Sequence, residues 1–313
     1  MKRVDLGSGP LRTTRLIYGC MRTVGTWDPD EVDSQAREHA VAAFEAAYDA
    51  GYRHFDHADI YCHGMCERVF GEWLRDKPEI RGSLLITTKV GIRFPGDPGP
   101  DSPKRYDFSA EHILRSCERS LRRLNVEAID CYLLHRPDVL MQPEEVAKAF
   151  ELLHLQGKAL SFGVSNFSPS QVETLGAAMT LPLVCHQIEL HPGRLEPFRD
   201  GTLDQCMRRD ITPTAWSPLK GGLFGTGGEA SSDHPRREQM HKLTQTLDAA
   251  AEAHGVDRSA ITLAWLMRHP SGVLPIVGTT DPHRIRDAAR ADEIDMDRET
   301  WYRIYDAAGG PLP

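Results

Sequence analysis

Short apolar runs alternate with longer amphipathic stretches along the whole chain. The runs end in polar or small residues and cover positions 15–20, 52–58, 83–90, 128–135, 159–167, 183–190, 210–219 and 272–280. The stretches between them, such as 31–51, space their apolar residues three and four positions apart, which is the period of an α-helix. Eight strand–helix repeats predict an α/β fold, a closed (β/α)8 TIM barrel whose parallel strands leave no edge exposed.

The ends of the predicted elements carry matching signals. Gly51 is placed to stop the helix in 31–51, and Ser109 is a candidate N-cap of a helix whose arginines gather toward its end. The first residues contain a GSGP turn between two short extended pieces, and we expect a β-hairpin that closes the barrel bottom. A doubly wound sheet is the alternative architecture, but no G-x-G-x-x-G follows any predicted strand.

Two segments are too long for routine connections. Residues 91–108 and 220–238 are rich in glycine, proline and polar residues, and each follows a predicted strand. In a barrel both would lie at the carboxyl end of the strands, where active sites are built. We expect mobile flaps over a pocket; the alternative is that they are disordered decorations that do not touch a substrate.

Composition narrows the classes of function. The net charge is −8 and the basic residues are scattered, which argues against nucleic acid as a partner. No apolar run approaches the ~20 residues that span a bilayer, and no apolar export signal opens the chain, so we expect a cytoplasmic protein that does not enter a membrane. Seven dispersed cysteines predict free thiols. The length predicts one domain over 1–313, and a monomer is the default expectation.

Polar residues that can do chemistry stand at three of the strand ends. Asp56 and Tyr61 follow the second run, Lys89 ends the third, and His135 ends the fourth. An ammonium beside a tyrosine favours the phenolate and lowers the phenol pKa, and a buried lysine needs an anionic partner to stay charged. The imidazole can orient a carbonyl oxygen. The set lacks a strong nucleophile but forms a complete proton-donor circuit.

Other assignments remain open from the residues alone. Cys62, His63 and Cys66 have a spacing that invites a zinc site, but no second ligand pair follows at usable spacing, and we expect no metal. A metal-dependent hydrolase would need a ligand on the first strand, which ends GCMRTVG. Lys89 is a candidate Schiff-base lysine of an aldolase-type barrel. A further possibility is a non-catalytic regulatory subunit that senses nucleotide on the same barrel.

Seven motifs in this order resemble the aldo-keto reductase superfamily: FDHADIY, TTKVG, LLHRPD, FGVSNF, HQIEL, AWSPL and PIVGTT. The resemblance covers essentially the whole chain and implies an NAD(P)H-dependent oxidoreductase that reduces aldehydes or ketones to alcohols. The family's tetrad matches Asp56, Tyr61, Lys89 and His135. In that chemistry the reduced nicotinamide gives a hydride to the carbonyl carbon while the tyrosine, here Tyr61, gives a proton to its oxygen. An intact tetrad argues against the regulatory alternative.

The same matching implies a set of cofactor-binding residues after the later strands. Ser165, Asn166 and Gln187 correspond to the groups that hold the nicotinamide carboxamide. Trp216 stands where the family usually has a tyrosine stacked on the nicotinamide ring. The segment that covers the pyrophosphate corresponds to Ser217, Leu219, Gly221 and Gly222.

The residues after the eighth strand bear on the choice between NADPH and NADH. The family positions around the adenosine and its phosphate correspond to Gly278, Thr279, Thr280 and Arg284, with Asp287 beside the position set against the adenine. Arg284 matches an arginine directed at the 2′-phosphate, and the threonines precede a helix whose N-terminus would face a phosphate. Two positions depart from the family, since Gly278 replaces a common lysine and Ala288 an asparagine. These two departures weaken the case for NADPH, but the match of Arg284 still favours NADPH over NADH.

The expected substrate is a small-molecule carbonyl compound. Trp27, Phe94 and Arg136, with the two long loops, would shape its pocket. The sequence does not identify the compound.

Overall fold

The structure is a computed structural model that describes residues 1–312 and contains a closed barrel of eight parallel strands. In chain order the strands are β1 (Arg3–Asp5), β2 (Arg12–Thr14), β3 (Ile17–Gly19), β4 (His54–Asp56), β5 (Leu85–Val90), β6 (Ile92–Arg93), β7 (Arg105–Tyr106), β8 (Ile129–Leu134), β9 (Ala159–Ser165), β10 (Leu183–Glu189), β11 (Thr212–Trp216) and β12 (Leu274–Val277). The barrel consists of β3, β4, β5 and β8 to β12, with β12 closing on β3. Each apolar run of the sequence contains one barrel strand, so the predicted (β/α)8 TIM barrel is confirmed.

Helices surround the barrel. They are α1 (Ser34–Asp49), α2 (Met65–Arg75), α3 (Ala110–Leu124), α4 (Pro143–Leu155), α5 (Pro169–Ala178), α6 (Thr202–Arg209), α7 (Arg237–His254), α8 (Arg258–Met267), α9 (Pro282–Ala289) and α10 (Arg298–Ala307). The side chain of Ser109 caps α3 as predicted, and Gly51 follows α1 at φ 93°. The repeat is regular until β11, which two helices follow; the first of them, α7, packs on α8 and α10.

The core has two apolar layers. The larger layer fills the space between the sheet and the helices. The smaller one fills the barrel and consists of Leu6, Ile17, Leu85, Cys131, Leu133, Val184, Cys185, Leu274 and Ile276. Every residue of β5 and β8 is buried, because one face meets the barrel interior and the other meets helices. Burial on both faces explains why these strands read as continuous apolar runs.

A hairpin closes the amino end of the barrel, as predicted. β1 and β2 pair antiparallel, and between them Leu6 enters the barrel interior with no exposed surface. The Gly7 amide donates to Thr212 Oγ1 at 2.7 Å. A Cβ at Gly7 would lie 2.5 Å from the Val184 carbonyl oxygen, and its φ is 56°, so this close approach requires glycine.

Both long loops lie at the carboxyl end of the barrel. Residues 91–108 contain the hairpin of β6 and β7, in which Arg93 pairs with Asp97 at 2.8 Å and Asp107 at 2.7 Å. In residues 220–238 the carbonyls of Gly225 and Gly228 accept hydrogen bonds from Arg258. Both loops contribute to the lining of a cavity described below. Their mobility stays a prediction.

Three expectations drawn from composition concern thiols, membranes and metals. All seven cysteines are buried free thiols. No helix of residues 1–312 combines the length and apolar character needed to cross a membrane. Within the same residues, no three histidine, cysteine, aspartate or glutamate side chains gather in a group suited to a metal ion.

Candidate active site

Four polar side chains selected from the sequence meet at the carboxyl end of the barrel. Lys89 comes from β5, Asp56 ends β4, Tyr61 lies in the turn after β4, and His135 directly follows β8. Lys89 Nζ donates to Asp56 Oδ2 at 2.7 Å, to the Tyr61 hydroxyl at 3.1 Å and to the His57 carbonyl at 2.6 Å. The ring centres of Tyr61 and His135 are 6.0 Å apart. The four side chains therefore form one contiguous group.

The turn that carries Tyr61 has an uncommon backbone. Cys62, His63 and Gly64 follow one another in the left-handed region, with φ of 45°, 52° and 89°. Such strain in non-glycine residues persists where the surrounding structure holds a side chain in place. Beneath the turn, the Arg123 guanidinium packs so closely that a Cβ on Gly64 would lie 2.4 Å from its Cζ. Arg123 thus supports the turn, and glycine is required above it.

Arg123 is held by the buried carboxylate of Glu67, which was not predicted from the sequence. Glu67 has no exposed surface and accepts hydrogen bonds from Arg123 Nη1 at 3.0 Å and Thr88 Oγ1 at 2.6 Å. Arg123 also donates to the Asp59 carbonyl at 3.3 Å. A signal for Glu67 exists in the sequence, because large apolar residues three and seven positions later place it on the buried face of α2.

Burial and neighbouring charges set the protonation of the group. Burial alone would lower the pKa of Lys89, but Asp56 and Tyr61 raise it above its usual value, so the ammonium stays charged. Burial raises the pKa of Tyr61, and the lysine offsets only part of that rise. Lys89 therefore lowers the phenol pKa as predicted, but the effect of burial is larger and the pKa of Tyr61 is raised overall. Burial, with the charges of Lys89 and Arg136, lowers the pKa of His135 well below its usual value, so its ring is neutral.

The residues matched to nicotinamide binding are already joined to this group. Gln187 Nε2 donates to Asp56 Oδ1 at 2.8 Å. Asn166 Nδ2 donates to Ser165 Oγ at 2.7 Å, and Asn166 Oδ1 accepts from Trp216 Nε1 at 2.9 Å. The first bond joins β10 to β4 across the mouth of the barrel, and the last joins the end of β9 to β11.

A cavity of about 510 Å³ opens over the group. Its lining includes these residues selected from the sequence: Trp27, Asp56, Tyr61, His135, Arg136, Ser165, Asn166, Gln187, Trp216, Ser217, Leu219, Gly221, Gly222, Gly278, Thr279, Thr280 and Arg284. Lys89 lies beneath the cavity surface and contacts it through Tyr61. Phe94 and Asp287 stay outside the lining.

The three residues selected for the substrate pocket, Trp27, Phe94 and Arg136, differ in their positions. The Trp27 ring meets Tyr61 edge-on, with centres 6.4 Å apart, and is 52% exposed. The Arg136 guanidinium lies 5.2 Å from the Trp216 ring centre. Phe94 packs instead on His63, at 4.7 Å between ring centres, and so lies behind the turn of Tyr61. Its place in a substrate pocket stays a prediction.

The far end of the cavity is formed by the start of α9. The Asp281 carboxylate caps this helix by accepting from the amides of His283 at 2.8 Å and Arg284 at 3.3 Å. These amide bonds lower the pKa of Asp281 and keep it ionised. A phosphate at this end would therefore meet the side chains of Thr280 and Arg284 rather than free helix amides.

Comparison with known proteins decides the family. Residues 15–308 match the sequence profile of the aldo/keto reductase family. This chain belongs to that family. The chain is 36% identical to a 6-dehydroglucose reductase of Agrobacterium fabrum, with 99% of each chain covered. It is 26% identical to a probable voltage-gated potassium channel subunit beta of Arabidopsis thaliana, over 94% of this chain and 92% of that one.

A solved structure supports the same assignment. The thermostable aldo-keto reductase Tm1743, in complex with the inhibitor epalrestat, superposes with a TM-score of 0.83 at 28% identity, covering 98% of this chain and 100% of that one. Aldo/keto reductases typically use NAD(P)H. The family therefore makes this protein an oxidoreductase.

Several residues that line the cavity were not predicted from the sequence. Arg22 lines the cavity from the turn after β3. In the sequence this strand end was considered only as a place for a metal ligand, and it offers none. Ser259 reaches the cavity from α8 and accepts a hydrogen bond from the Thr226 amide at 3.1 Å. No local pattern marks Ser259, because its place depends on how α8 packs. Arg22 could have been found by reading the first strand end for cations as well as for ligands.

Proposed function

We propose that this protein reduces aldehydes or ketones to alcohols with NADPH as the reductant. The observation that carries the proposal is the fully buried Lys89, which bonds both Asp56 and the Tyr61 phenol at the wall of the cavity. A buried ammonium is costly unless its bonds are satisfied. Here one of those bonds goes to a phenol that faces a ligand-sized space, which suits proton donation to a bound oxygen.

The cavity residues fit a dinucleotide. Gly221 and Gly222 line it at φ 64° and 106°, and no atom lies within 4 Å of a Cβ built on either, so the backbone is open to close approach by a ligand. Arg22, Arg136 and Arg284 also line the cavity, and none of the three pairs with a carboxylate of residues 1–312. Three unpaired guanidinium groups favour an anionic ligand such as a pyrophosphate.

The chain's own residues supply the proton and hold the carbonyl. When bound, the reduced nicotinamide supplies a hydride to the carbonyl carbon. The raised pKa of Tyr61 keeps the proton on the phenol until the carbonyl oxygen gains negative charge and accepts it. Lys89 stabilises the phenolate left behind, and Asp56 keeps the ammonium charged. The neutral ring of His135 donates a hydrogen bond that orients the oxygen.

The preference for NADPH rests on Arg284. Its guanidinium is exposed at the cavity end and can take a 2′-phosphate through two parallel hydrogen bonds. Because Asp281 occupies the first amides of α9, the helix itself contributes little to holding that phosphate. Removal of the Arg284 charge should therefore affect NADPH much more than NADH.

The substrate class that suits the cavity is a polar aldehyde, such as an oxidised sugar. The 6-dehydroglucose reductase relatives act by name on such a compound. Trp27 offers an exposed ring face, and Arg22 and Arg136 offer hydrogen-bond donors to hydroxyl oxygens. Together they form a surface with both apolar and polar character beside Tyr61.

The test is a comparison of Tyr61→Phe with the parent. NADPH binding, followed by fluorescence titration, should be unchanged, while NADPH oxidation with a panel of sugar and aliphatic aldehydes should fall by about 10²–10⁴-fold. Tyr302→Phe on α10, whose phenol is exposed, is the matched control and should keep the parent rate. If Tyr61→Phe turned over aldehydes at the parent rate, the assignment of Tyr61 as the proton donor would be wrong. Binding of NADPH by the parent without turnover of any aldehyde would instead favour the regulatory alternative.

A further inference from the structure

A second depression of about 510 Å³ lies on the outer wall of the barrel, between α2 and α3. Five of the residues that line it are arginines: Arg68, Arg75, Arg119, Arg122 and Arg123. The basic character is local, because the whole chain carries a net charge of −8. In the sequence, Arg119, Arg122 and Arg123 mark only the end of the helix that Ser109 caps, and no role was predicted for Arg68 or Arg75.

Helix geometry explains why the arginines converge. Positions 68 and 75 lie two turns apart on α2, and positions 119, 122 and 123 follow the i, i+3, i+4 spacing on α3, so each set shares one helix face. The two faces meet because α2 has Gly71 at the crossing. A Cβ there would lie 2.1 Å from the Arg123 carbonyl oxygen, so no larger residue permits this approach.

The charges in this arginine groove are only partly neutralised by the described residues. Within residues 1–312 neither Arg68 nor Arg122 forms an ion pair, and Arg75 contacts only the exposed Asp76, at 3.6 Å. Glu72 is the one acidic residue that lines the groove, and it forms an ion pair with Arg37, which lies outside the groove. The groove thus brings like charges together, and Arg68 and Arg122 have no ion-pair partner among the described residues.

Arg119 has a shielded donor that no acceptor of residues 1–312 reaches. Its Nη2 donates to Ser116 Oγ at 2.7 Å, but its Nε is shielded from solvent and has no partner among the described residues. A shielded donor without an acceptor is unfavourable, and a guanidinium donor is matched best by an oxyanion. Arg123 is different, because it is committed to the buried Glu67.

We propose that the arginine groove binds a soluble molecule that carries a diphosphate or two neighbouring phosphate groups. Guanidinium forks on both helices can take phosphate oxygens in pairs, and the volume exceeds what a single phosphate would fill. Arg68, Arg119 and Arg122 hold the ligand, while Arg123 forms the floor. Nucleic acid is not the ligand, because the cations are confined to one groove and do not form a stripe.

The test is calorimetric titration of the full chain with pyrophosphate at physiological ionic strength. The parent should show saturable binding, and the double variant Arg119→Gln/Arg122→Gln should weaken it by at least about tenfold, since each removes a charge-assisted hydrogen bond. The control Arg298→Gln/Arg303→Gln removes the same two charges from exposed positions on α10 and should bind as the parent does. The milder Arg68→Gln should weaken binding by a smaller factor.

Pyrophosphate could also enter the cofactor cavity, so a third variant separates the sites. Arg284→Met should leave pyrophosphate binding to the groove unchanged, and NADPH titration of Arg119→Gln/Arg122→Gln should match the parent. Absence of saturable binding, an equal loss in the α10 control, or loss in Arg284→Met alone would each overturn the proposal. None of these outcomes depends on carbonyl reduction. The proposed enzymatic function could therefore be wrong while the proposal of phosphate binding in the arginine groove is supported.

Discussion

Two adjacent polar layers inside the barrel are built from the same two strands, yet they differ in chemistry. In the lower layer, His54 of β4 bonds Thr87 of β5 at 2.7 Å and Thr13 of the hairpin at 2.8 Å. In the upper layer, two residues further along each strand, Asp56 meets Lys89 at 2.7 Å. The period of two along a strand brings both pairs to the barrel interior.

The difference is between a closed layer and an open one. Both ring nitrogens of His54 have partners, and burial together with the charge of Lys89 lowers its pKa to about 3, so it is neutral and has no bond left to offer. The upper layer carries charge, and it extends through Tyr61 to a cavity. Buried polar groups that are fully satisfied hold the fold together, whereas a charged set that ends at a cavity can do chemistry.

The largest effect is expected from breaking the upper layer with Lys89→Met. Turnover should fall by about 10²–10⁴-fold because the phenolate of Tyr61 loses its stabilising charge. The free energy of unfolding should fall by about 3–5 kcal/mol, because Asp56 is left buried and unpaired. Steady-state kinetics and urea unfolding measure the two effects.

The double variant Asp56→Asn/Lys89→Met separates these two losses. It should regain much of the stability, since no lone charge remains, but none of the turnover. If Lys89→Met lost its activity while keeping the parent stability, the view of the upper layer as a costly charged pair would be untenable.

Breaking the lower layer should affect stability alone. His54→Leu keeps the bulk of the side chain but leaves the hydroxyls of Thr13 and Thr87 without their partner, which should cost about 1–3 kcal/mol. The turnover number should stay within about twofold, because the change lies beneath the charged pair. His54→Leu/Thr87→Val, which removes one of the unpaired hydroxyls, should recover part of the loss. A large fall in turnover with a normal unfolding curve would mean that the lower layer takes part in catalysis.

The pH dependence of stability gives a third comparison. The pKa of His54 is about 3 when folded, below its ordinary value of 6.5, so the folded state resists protonation and the unfolded state does not. The contribution of the neutral His54 to the free energy of unfolding is therefore complete above pH 6.5. It is lost as the pH falls toward 3, by about 1.4 kcal/mol per pH unit. Urea unfolding of His54→Leu at pH 7 and pH 5 should show a shallower loss than the parent.

The comparison between parent and variant is needed because other groups titrate in the same range. Burial, together with the charge of Lys89, lowers the pKa of His57 to about 3, so it adds to the acid loss. Burial, together with the charge of Glu67, raises the pKa of Asp59 to about 8, so its contribution has the opposite sign and is lost as the pH rises toward 8. Both groups are present in parent and variant and cancel in the difference. An identical pH dependence in the two proteins would contradict the assignment of a neutral His54.

The two layers also mark how far sequence reasoning reaches. The barrel and the convergence of Asp56 and Lys89 could be predicted, because strand period and the carboxyl-end rule depend on local pattern and topology. The lower layer could not, since Thr13 reaches His54 only after the hairpin folds under the barrel. The rise in the Tyr61 pKa was missed for a related reason. It depends on how completely neighbouring elements exclude water, and spacing along the chain does not report that.

Gln187 provides the smallest and most informative test, because it is a neutral residue attached to the charged layer. Its Nε2 donates to Asp56 Oδ1 at 2.8 Å, on the side of the carboxylate opposite Lys89. Gln187→Leu should cost about 1 kcal/mol of stability, and a similar loss in the transition state would lower turnover at saturating NADPH about fivefold, while the loss of its proposed contact with the nicotinamide should appear as weaker NADPH binding. The effect is small because Asp56 keeps its ammonium partner.

The matched control is Thr214→Val, which alters a buried hydroxyl at the paired position on β11 without touching Asp56. It should change stability by a comparable amount while turnover stays at the parent value. If Gln187→Leu and Thr214→Val had the same turnover, then the position of Asp56 would be fixed by Lys89 alone. The upper layer would then consist of the charged pair and the phenol, without support from neighbouring strands.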